Sequence, residues 1–225
     1  RIINSSEKWI ENYSIKTELF GEVQISKLQD IPPLSVHKVP FSIAAASIPN
    51  ESALFIGSSR PIRDIEAFAK PRNGLKVFAN RGLAGIDGNL STIFGISNHF
   101  ERTFAIIGDL TFLHDLTALL TPPKANLTIF VIDNNGGGIF STLPQAGVAG
   151  FEDIFGTPQN QDLVKIISAF GIPVSKVKSS SDLNLAIAHN KTGLNFVIVE
   201  VPDRKTMAEN LAQTYARISK AVRMG

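Results

Sequence analysis

IIGDLTFLHDL (residues 106–116), followed by TIFVIDNNGGGIF (residues 128–140), decides how this chain reads. An apolar run, Phe104 to Ile107, leads into Gly108-Asp109. A second, Leu127 to Ile132, leads into Asp133-Asn134-Asn135-Gly136-Gly137-Gly138. Both runs are rich in β-branched and aromatic residues and apolar at successive positions, as expected of strands buried on both faces of a parallel sheet. Two strand ends then deliver a carboxylate, two amides and open glycine backbone to one place. Those are the oxygen donors a hard divalent cation takes, beside backbone that can approach a phosphate.

The pattern repeats along the chain. Short apolar runs at Ala53–Ile56, Lys76–Ala79, Val174–Val177 and Phe196–Val201 predict four more strands. Helical periodicity lies between most of them, at Ile62–Ala69, Leu90–Asn98, Phe112–Leu120, Asp162–Phe170, Asp182–His189 and Arg204–Val222. Alternating strands and helices with right-handed crossovers predict an α/β fold: a doubly wound, mostly parallel six-stranded sheet with helices on both faces. Residues 1 to about 37, ending near Pro32-Pro33, read as a helical linker and an extended connection. A short helix is expected over Phe41–Ser47.

Ligands of such sheets sit beyond the carboxyl ends of the strands. There the sequence places Gly57-Ser58-Ser59, Asn80-Arg81-Gly82, Gly108-Asp109 and Asp133 to Gly138. Taken singly, each has a plain structural reading. Asp109 precedes a helix, for which Thr111 is a candidate cap, and the glycines suit a flexible turn. Together, on converging loops, Asp109 and Asn134 can flank a cation that keeps other positions for phosphate oxygens and water. Arg63 and Arg81 offer guanidinium forks for carboxylates. Arg63, in the first turn of a helix, is electrostatically misplaced for a merely structural residue, and a salt bridge to Asp87 is the alternative for Arg81. For His114-Asp115 a packed or solvated helix position is the preferred reading. Ser141 has no histidine partner placed by any motif, and no G-x-x-x-x-G-K-[ST] or G-x-G-x-x-G loop is present.

Composition narrows the class. The 225 residues are 44% hydrophobic and 19% charged, with a net charge of +2, which suits a soluble globular domain and does not favour nucleic acid. Cysteine is absent, excluding disulfides and thiolate chemistry, and His37, His99, His114 and His189 lack metal-ligand spacing. No apolar run reaches membrane-spanning length and no signal peptide is visible, so a cytoplasmic location is expected. The polar opening from Arg1 suggests a piece of a longer polypeptide.

The Gly108-Asp109 pair and the Asn134-Asn135 pair resemble the cofactor motif of the thiamine diphosphate (ThDP) enzyme superfamily. Asn80-Arg81-Gly82-Leu83-Ala84-Gly85-Ile86-Asp87-Gly88, Asn134 to Ser141 and Gly57-Ser58-Ser59-Arg60-Pro61-Ile62-Arg63-Asp64 resemble its MenD branch, the carboligases of menaquinone biosynthesis. The resemblance is strong over about residues 50–145. It implies a ThDP diphosphate-binding (PP) domain over 41–225, with 1–40 the linker or tail of a preceding central domain. It implies Asp109, Asn134 and the Gly136 carbonyl as ligands of Mg²⁺ or Mn²⁺. Gly108, Leu110, Gly137, Gly138 and Ile139 would line the diphosphate, and Gly85 and Ile86 would touch the bent cofactor. Ser59, Arg63 and Arg81 would bind substrate carboxylates, with Phe140 and Leu143 as an apolar wall.

Two departures are visible. Leu110 stands where most of the superfamily has glycine, though the MenD branch is similar here. The Asp109–Asn134 interval, which contains Pro122-Pro123, is short, so a trimmed helix end is expected. The resemblance implies 2-oxoglutarate and isochorismate as substrates and a homodimer or homotetramer of the longer protein. The cofactor-activating glutamate would come from a pyrimidine-binding domain of a partner subunit, leaving no catalytic residue in this chain. The alternatives are the PP domain of another ThDP-dependent decarboxylase or acetolactate-synthase-like enzyme, and a non-catalytic Mg²⁺–phosphate module.

Overall fold

A computed structural model describes residues 47–69, 72–189 and 192–223. The linker expected over 1–40, and the short helix over Phe41–Ser47 apart from Ser47, lie outside the described residues. In chain order the elements are β1 (Ser52–Ile56), α1 (Arg60–Phe68), β2 (Leu75–Phe78), α2 (Asn89–Ser97), β3 (Thr103–Gly108), α3 (Asp109–His114), β4 (Leu127–Asp133), α4 (Leu163–Ala169), β5 (Val174–Val177), α5 (Ser180–Ala188), β6 (Leu194–Glu200) and α6 (Arg204–Arg223). The strands form one six-stranded sheet in the order β2-β1-β3-β4-β6-β5, and every neighbouring pair is parallel.

Alternation along each strand divides the core in two. Leu54, Ile56, Phe104, Ile106, Phe130, Ile132, Val197 and Val199 share one face with Ile65 of α1 and Leu183 and Ile187 of α5. Phe55, Ala105, Ile107, Ile129, Val131, Phe196 and Ile198 share the other with α2, Phe112 of α3 and α4. Connections that step towards β5 along the sheet use the second face and those that step back use the first, as right-handed crossovers require. After β1 the chain therefore leaves over one face, and after adjacent β3 over the other. A crevice opens between their carboxyl ends, the switch point where such sheets bind ligands.

Element boundaries moved where local chemistry overrode the apolar pattern. The helix expected over Phe112–Leu120 starts at Asp109, with Gly108 as its cap rather than Thr111. It ends at His114 and continues as a 3₁₀ turn over Leu116–Leu120. The α-helical part thus stops short of Leu120, and the 3₁₀ turn, with its larger rise per residue, carries the chain on towards Pro122-Pro123. Asp115 is buried here, and its carboxylate accepts the Ser91 N–H in the first turn of α2 (3.1 Å), a long-range cap rather than acid–base machinery. His114 is exposed. No helix among the described residues is long and apolar enough to cross a membrane.

Phe104, fully buried in β3, stacks on Phe130 of β4 with ring centroids 6.5 Å apart. Phe104→Ala is expected to lower stability by about 3–5 kcal/mol in denaturant unfolding. A loss below about 1 kcal/mol would mean that the two strands are not packed in this register.

Candidate active site

A cleft of about 440 Å³ lies over the carboxyl ends of β1, β3 and β4. Its lining includes Ser59, Arg63, Arg81, Ile86, Gly108, Asp109, Leu110, Asn134, Gly136, Gly137, Gly138, Ile139 and Phe140. Two of the expected residues stand aside. Gly85 lies between the lining residues Ala84 and Ile86 without joining them, and Leu143 is exposed outside the cleft. The sheet register brings the rest together, because Gly108 pairs with Ile132 and Ile56 with Ile106, so the loops after these strands start at one level.

Asp109 is buried and ties two loops. One carboxylate oxygen accepts the Leu110 N–H (2.8 Å) and the other the Gly136 N–H (2.7 Å). Burial pushes its pKa up to about 6, against the two backbone donors, which favour the charged form. Each oxygen keeps a lone pair for a further ligand. Asn134 Oδ1 is buried with no hydrogen-bond partner among the described residues. A buried acceptor of that kind needs a donor or a cation. The Gly136 carbonyl accepts the Gly138 N–H (2.8 Å), which leaves it one lone pair. One carboxylate, one amide oxygen and one carbonyl fit a Mg²⁺ ion that takes its remaining ligands from phosphate and water. Among the described residues no three His, Asp or Glu side chains gather as a metal cage.

The glycines are demanded by packing as well as by any ligand. A Cβ on Gly136 would collide with the Gly156 carbonyl and the Arg204 guanidinium, and one on Gly137 with the Phe155 carbonyl and the Phe140 ring. The loop lies against a π-helical turn, Glu152–Gly156, through Gly137 N–H to Gly156 O (2.8 Å). Asn135, at φ 57°, exchanges two hydrogen bonds with Asn160: Nδ2 to Oδ1 at 2.8 Å, and the Asn160 N–H to Asn135 Oδ1 at 2.9 Å. Arg204, at the start of α6, donates to the Asn135 and Gly156 carbonyls and pairs with Glu152. None of this supporting set was foreseen from sequence. Its members are remote in the chain, and no local pattern places α6 behind the β4 loop.

The opposite wall is built by polar pins. Asn89, buried at the start of α2, donates to the Gly85 and Asp87 carbonyls (3.2 Å each) and so fixes the loop that carries Ile86 to the cleft. Asn80 reaches Thr92 Oγ1 at 3.2 Å. Ser59 caps α1 at φ 71°, an unfavourable value for a residue with a Cβ, and its carbonyl accepts from Arg63 Nη1 (2.7 Å). Arg60 also lines the cleft but is paired with buried Asp64, whose pKa burial raises to about 6 although Arg60 pulls the other way. Among the described residues no ion pair to Asp87 forms for Arg81, and Arg63 hydrogen-bonds a carbonyl and forms no ion pair, acting on Asp64 only through space. Two guanidinium groups at the rim therefore keep their charge for an anion.

A cleft at the switch point of a parallel sheet, lined by a buried carboxylate, an amide oxygen and open glycine backbone, is where a doubly wound α/β domain takes its ligand. Residues 63–201 match the model of the thiamine pyrophosphate enzyme C-terminal TPP-binding domain, and the chain belongs to that family. It is 41% identical over 187 residues to the 2-succinyl-5-enolpyruvyl-6-hydroxy-3-cyclohexene-1-carboxylate synthase of Thermobifida fusca, covering 80% of this chain and 33% of that protein. It is 33% identical over 221 residues to the synthase of the same name in Listeria monocytogenes serotype 4b, covering 96% and 38%. The chain thus spans about a third of the length of these curated relatives. Among solved structures, benzoylformate decarboxylase from Polynucleobacter necessarius superposes with a TM-score of 0.58 at 17% identity, over 76% of this chain and 34% of that one. At that identity the likeness speaks for the fold.

The raised pKa of Asp109 sets a pH dependence. The folded value of about 6 lies above the ordinary 3.8, so the fold disfavours the ionised carboxylate. That penalty is carried in full above about pH 6, is relieved as the pH falls, and is gone below about pH 4, where the unfolded chain holds the proton too. Asp109→Asn is uncharged throughout. Without divalent cation, its stability relative to the unsubstituted chain should be most favourable near neutrality and decline by on the order of 2 kcal/mol towards about pH 4. Denaturant unfolding across that range measures it, and a difference independent of pH would contradict the burial argument.

Proposed function

We propose that this chain forms the diphosphate-binding part of the active site in a ThDP- and Mg²⁺-dependent carboligase. The reaction we assign to the longer protein is decarboxylation of 2-oxoglutarate and addition of the succinyl-semialdehyde unit to isochorismate, in menaquinone biosynthesis. The observation that carries the reading is the buried, unpartnered Asn134 Oδ1 beside the buried Asp109 carboxylate and a glycine loop with open backbone. Family membership supports the cofactor, and the synthase activity named for its relatives supports the reaction.

Asp109 Oδ, Asn134 Oδ1 and the Gly136 carbonyl would hold the cation, and the backbone of Gly137, Gly138 and Ile139 would meet the diphosphate. Bound there, thiamine diphosphate supplies the electron sink for decarboxylating a 2-oxo acid and transferring the remaining unit. Ile86 would set the cofactor's bend from the opposite wall, and the neighbouring Gly85, whose carbonyl accepts from the Asn89 amide, would hold that loop in place. Arg63 and Arg81, with Ser59, suit a dicarboxylate, because guanidinium forks bind carboxylates in a bidentate manner and stay charged. Phe140, whose ring lies 5.5 Å from that of Phe155, would face the apolar part of the substrates. Leu143 is near enough in sequence to join it once a second domain covers the cleft. A pyrimidine-binding domain from a partner subunit would supply the activating glutamate and complete the site in a homodimer or homotetramer.

In the full-length enzyme, Arg81→Ala is expected to raise KM for 2-oxoglutarate about tenfold or more while leaving ThDP affinity unchanged. Lost ThDP affinity with an unchanged KM would contradict the carboxylate role. The purified 225-residue chain by itself should show no succinyl transfer in a product assay with both substrates, ThDP and Mg²⁺. Turnover by the chain alone would overturn the assignment of the activating group to another domain.

A further inference from the structure

We infer that Arg204 is a positioning residue for the cofactor loop: its guanidinium, neutralised by Glu152, holds residues 134–138 in the conformation that presents Asn134 and the Gly136 backbone to the cleft. The inference rests on reading that loop as the diphosphate- and cation-binding loop.

The loop needs an external hold. Asn135 (φ 57°) and Gly136 (φ 128°) both sit at positive φ, as does Thr157 (φ 41°) on the facing turn. Glycine and asparagine tolerate such values, but a β-branched residue like Thr157 keeps them only where the surroundings over-determine it. Arg204 Nη1 donates to the carbonyls of Asn135 and Gly156, both at 2.5 Å, and Nη2 pairs with Glu152. One planar fork therefore joins the start of α6, the cofactor loop and the π-helical turn. The Arg204 side chain is 12% exposed, so its charge has little water; Glu152 is its direct ion-pair partner, and the charge also acts on Asp109 through space. That pairing matters because an uncompensated cation behind the loop would repel a divalent cation in front of it.

The position of Arg204 argues against an ordinary helix role. It is the first residue of α6, where the helix dipole disfavours a cation, and the free N–H groups of that turn are served by Asp203, whose carboxylate accepts the Thr206 N–H (3.0 Å). Packing points the same way. A Cβ on Gly136 would meet the guanidinium, and one on Gly156 would meet the Glu152 carboxylate, so the glycines and the ion pair fit as one unit. Lysine could not replace it, since a single ammonium lacks the fork that spans three acceptors.

The test uses the full-length enzyme with Arg204→Ala, Arg204→Lys and Glu152→Gln. ThDP affinity is read by calorimetry at saturating Mg²⁺, KM for ThDP against kcat at saturating cofactor, and amide hydrogen exchange without cofactor. Arg204→Ala should weaken ThDP binding by about tenfold to a hundredfold, as loss of a ligand-orienting partner does, with kcat at saturation within about threefold. Exchange should quicken in 134–138 and 152–157 but not in β3 or β6. Arg204→Lys should recover little of the affinity, and Glu152→Gln should weaken it by about threefold to tenfold. Unchanged ThDP affinity in Arg204→Ala, or exchange quickened evenly across the domain, would overturn the inference. Should Arg204→Ala not fold, unchanged affinity in both other variants does so. If Asp109→Ala leaves ThDP and Mg²⁺ binding intact, the cofactor reading of the loop fails instead, and the local exchange effect of Arg204→Ala separates the two.

Discussion

One carboxylate, withdrawn from water and held by two backbone N–H groups, organises this cleft. Asp109 follows the last residue of β3 and begins α3, and through the Gly136 N–H it also fixes the loop after β4. Its burial makes the charged form costly, a cost that a cation beside it would relieve. The two hydrogen bonds leave lone pairs free to take one. The glycine loop then has a definite place to go. Its backbone must turn back on the Asp109 carboxylate, pass under Gly156 and Arg204, and leave Asn134 Oδ1 without a partner among the described residues. Any residue with a Cβ at 136 or 137 would break that path.

The sheet puts this constraint where it is useful. Because α1 and α3 leave on opposite faces after adjacent strands β1 and β3, the carboxyl ends of these strands open onto a crevice rather than a helix. The wall opposite the glycine loop comes from the 80–88 segment, held by the Asn89 amide and presenting Ile86. Around the rim, Asp64 neutralises Arg60 and so leaves Arg63 and Arg81 as the charges available to an anion. The division is chemical. The floor offers oxygen donors and open backbone, and the rim offers guanidinium groups.

Much of this could be read in the sequence, for a physical reason. Strands buried on both faces must be apolar throughout, so Phe104–Ile107 and Leu127–Ile132 announce themselves, and ligand loops follow strand ends by topology. The boundary of α3 was less legible. Apolar periodicity begins at Phe112, whereas the helix begins at Asp109, whose carboxylate bonds the next backbone N–H. The role of Asp115 was hidden for a related reason, since it caps a helix formed by residues 24 positions away. Least legible was the support behind the loop. Strand order β4-β6-β5 places α6 beside the β4 loop, and nothing local to Arg204, Glu152 or Asn160 reveals that neighbourhood.

The claim on which everything else rests is that Asp109 and Asn134 hold one divalent cation against a diphosphate. Anomalous diffraction from crystals of the full-length enzyme grown with ThDP and Mn²⁺ tests it directly. The account predicts a single strong peak within coordination distance of Asp109 Oδ, Asn134 Oδ1 and the Gly136 carbonyl. A cofactor bound with Mn²⁺ elsewhere, or with no metal between those two side chains, would contradict it.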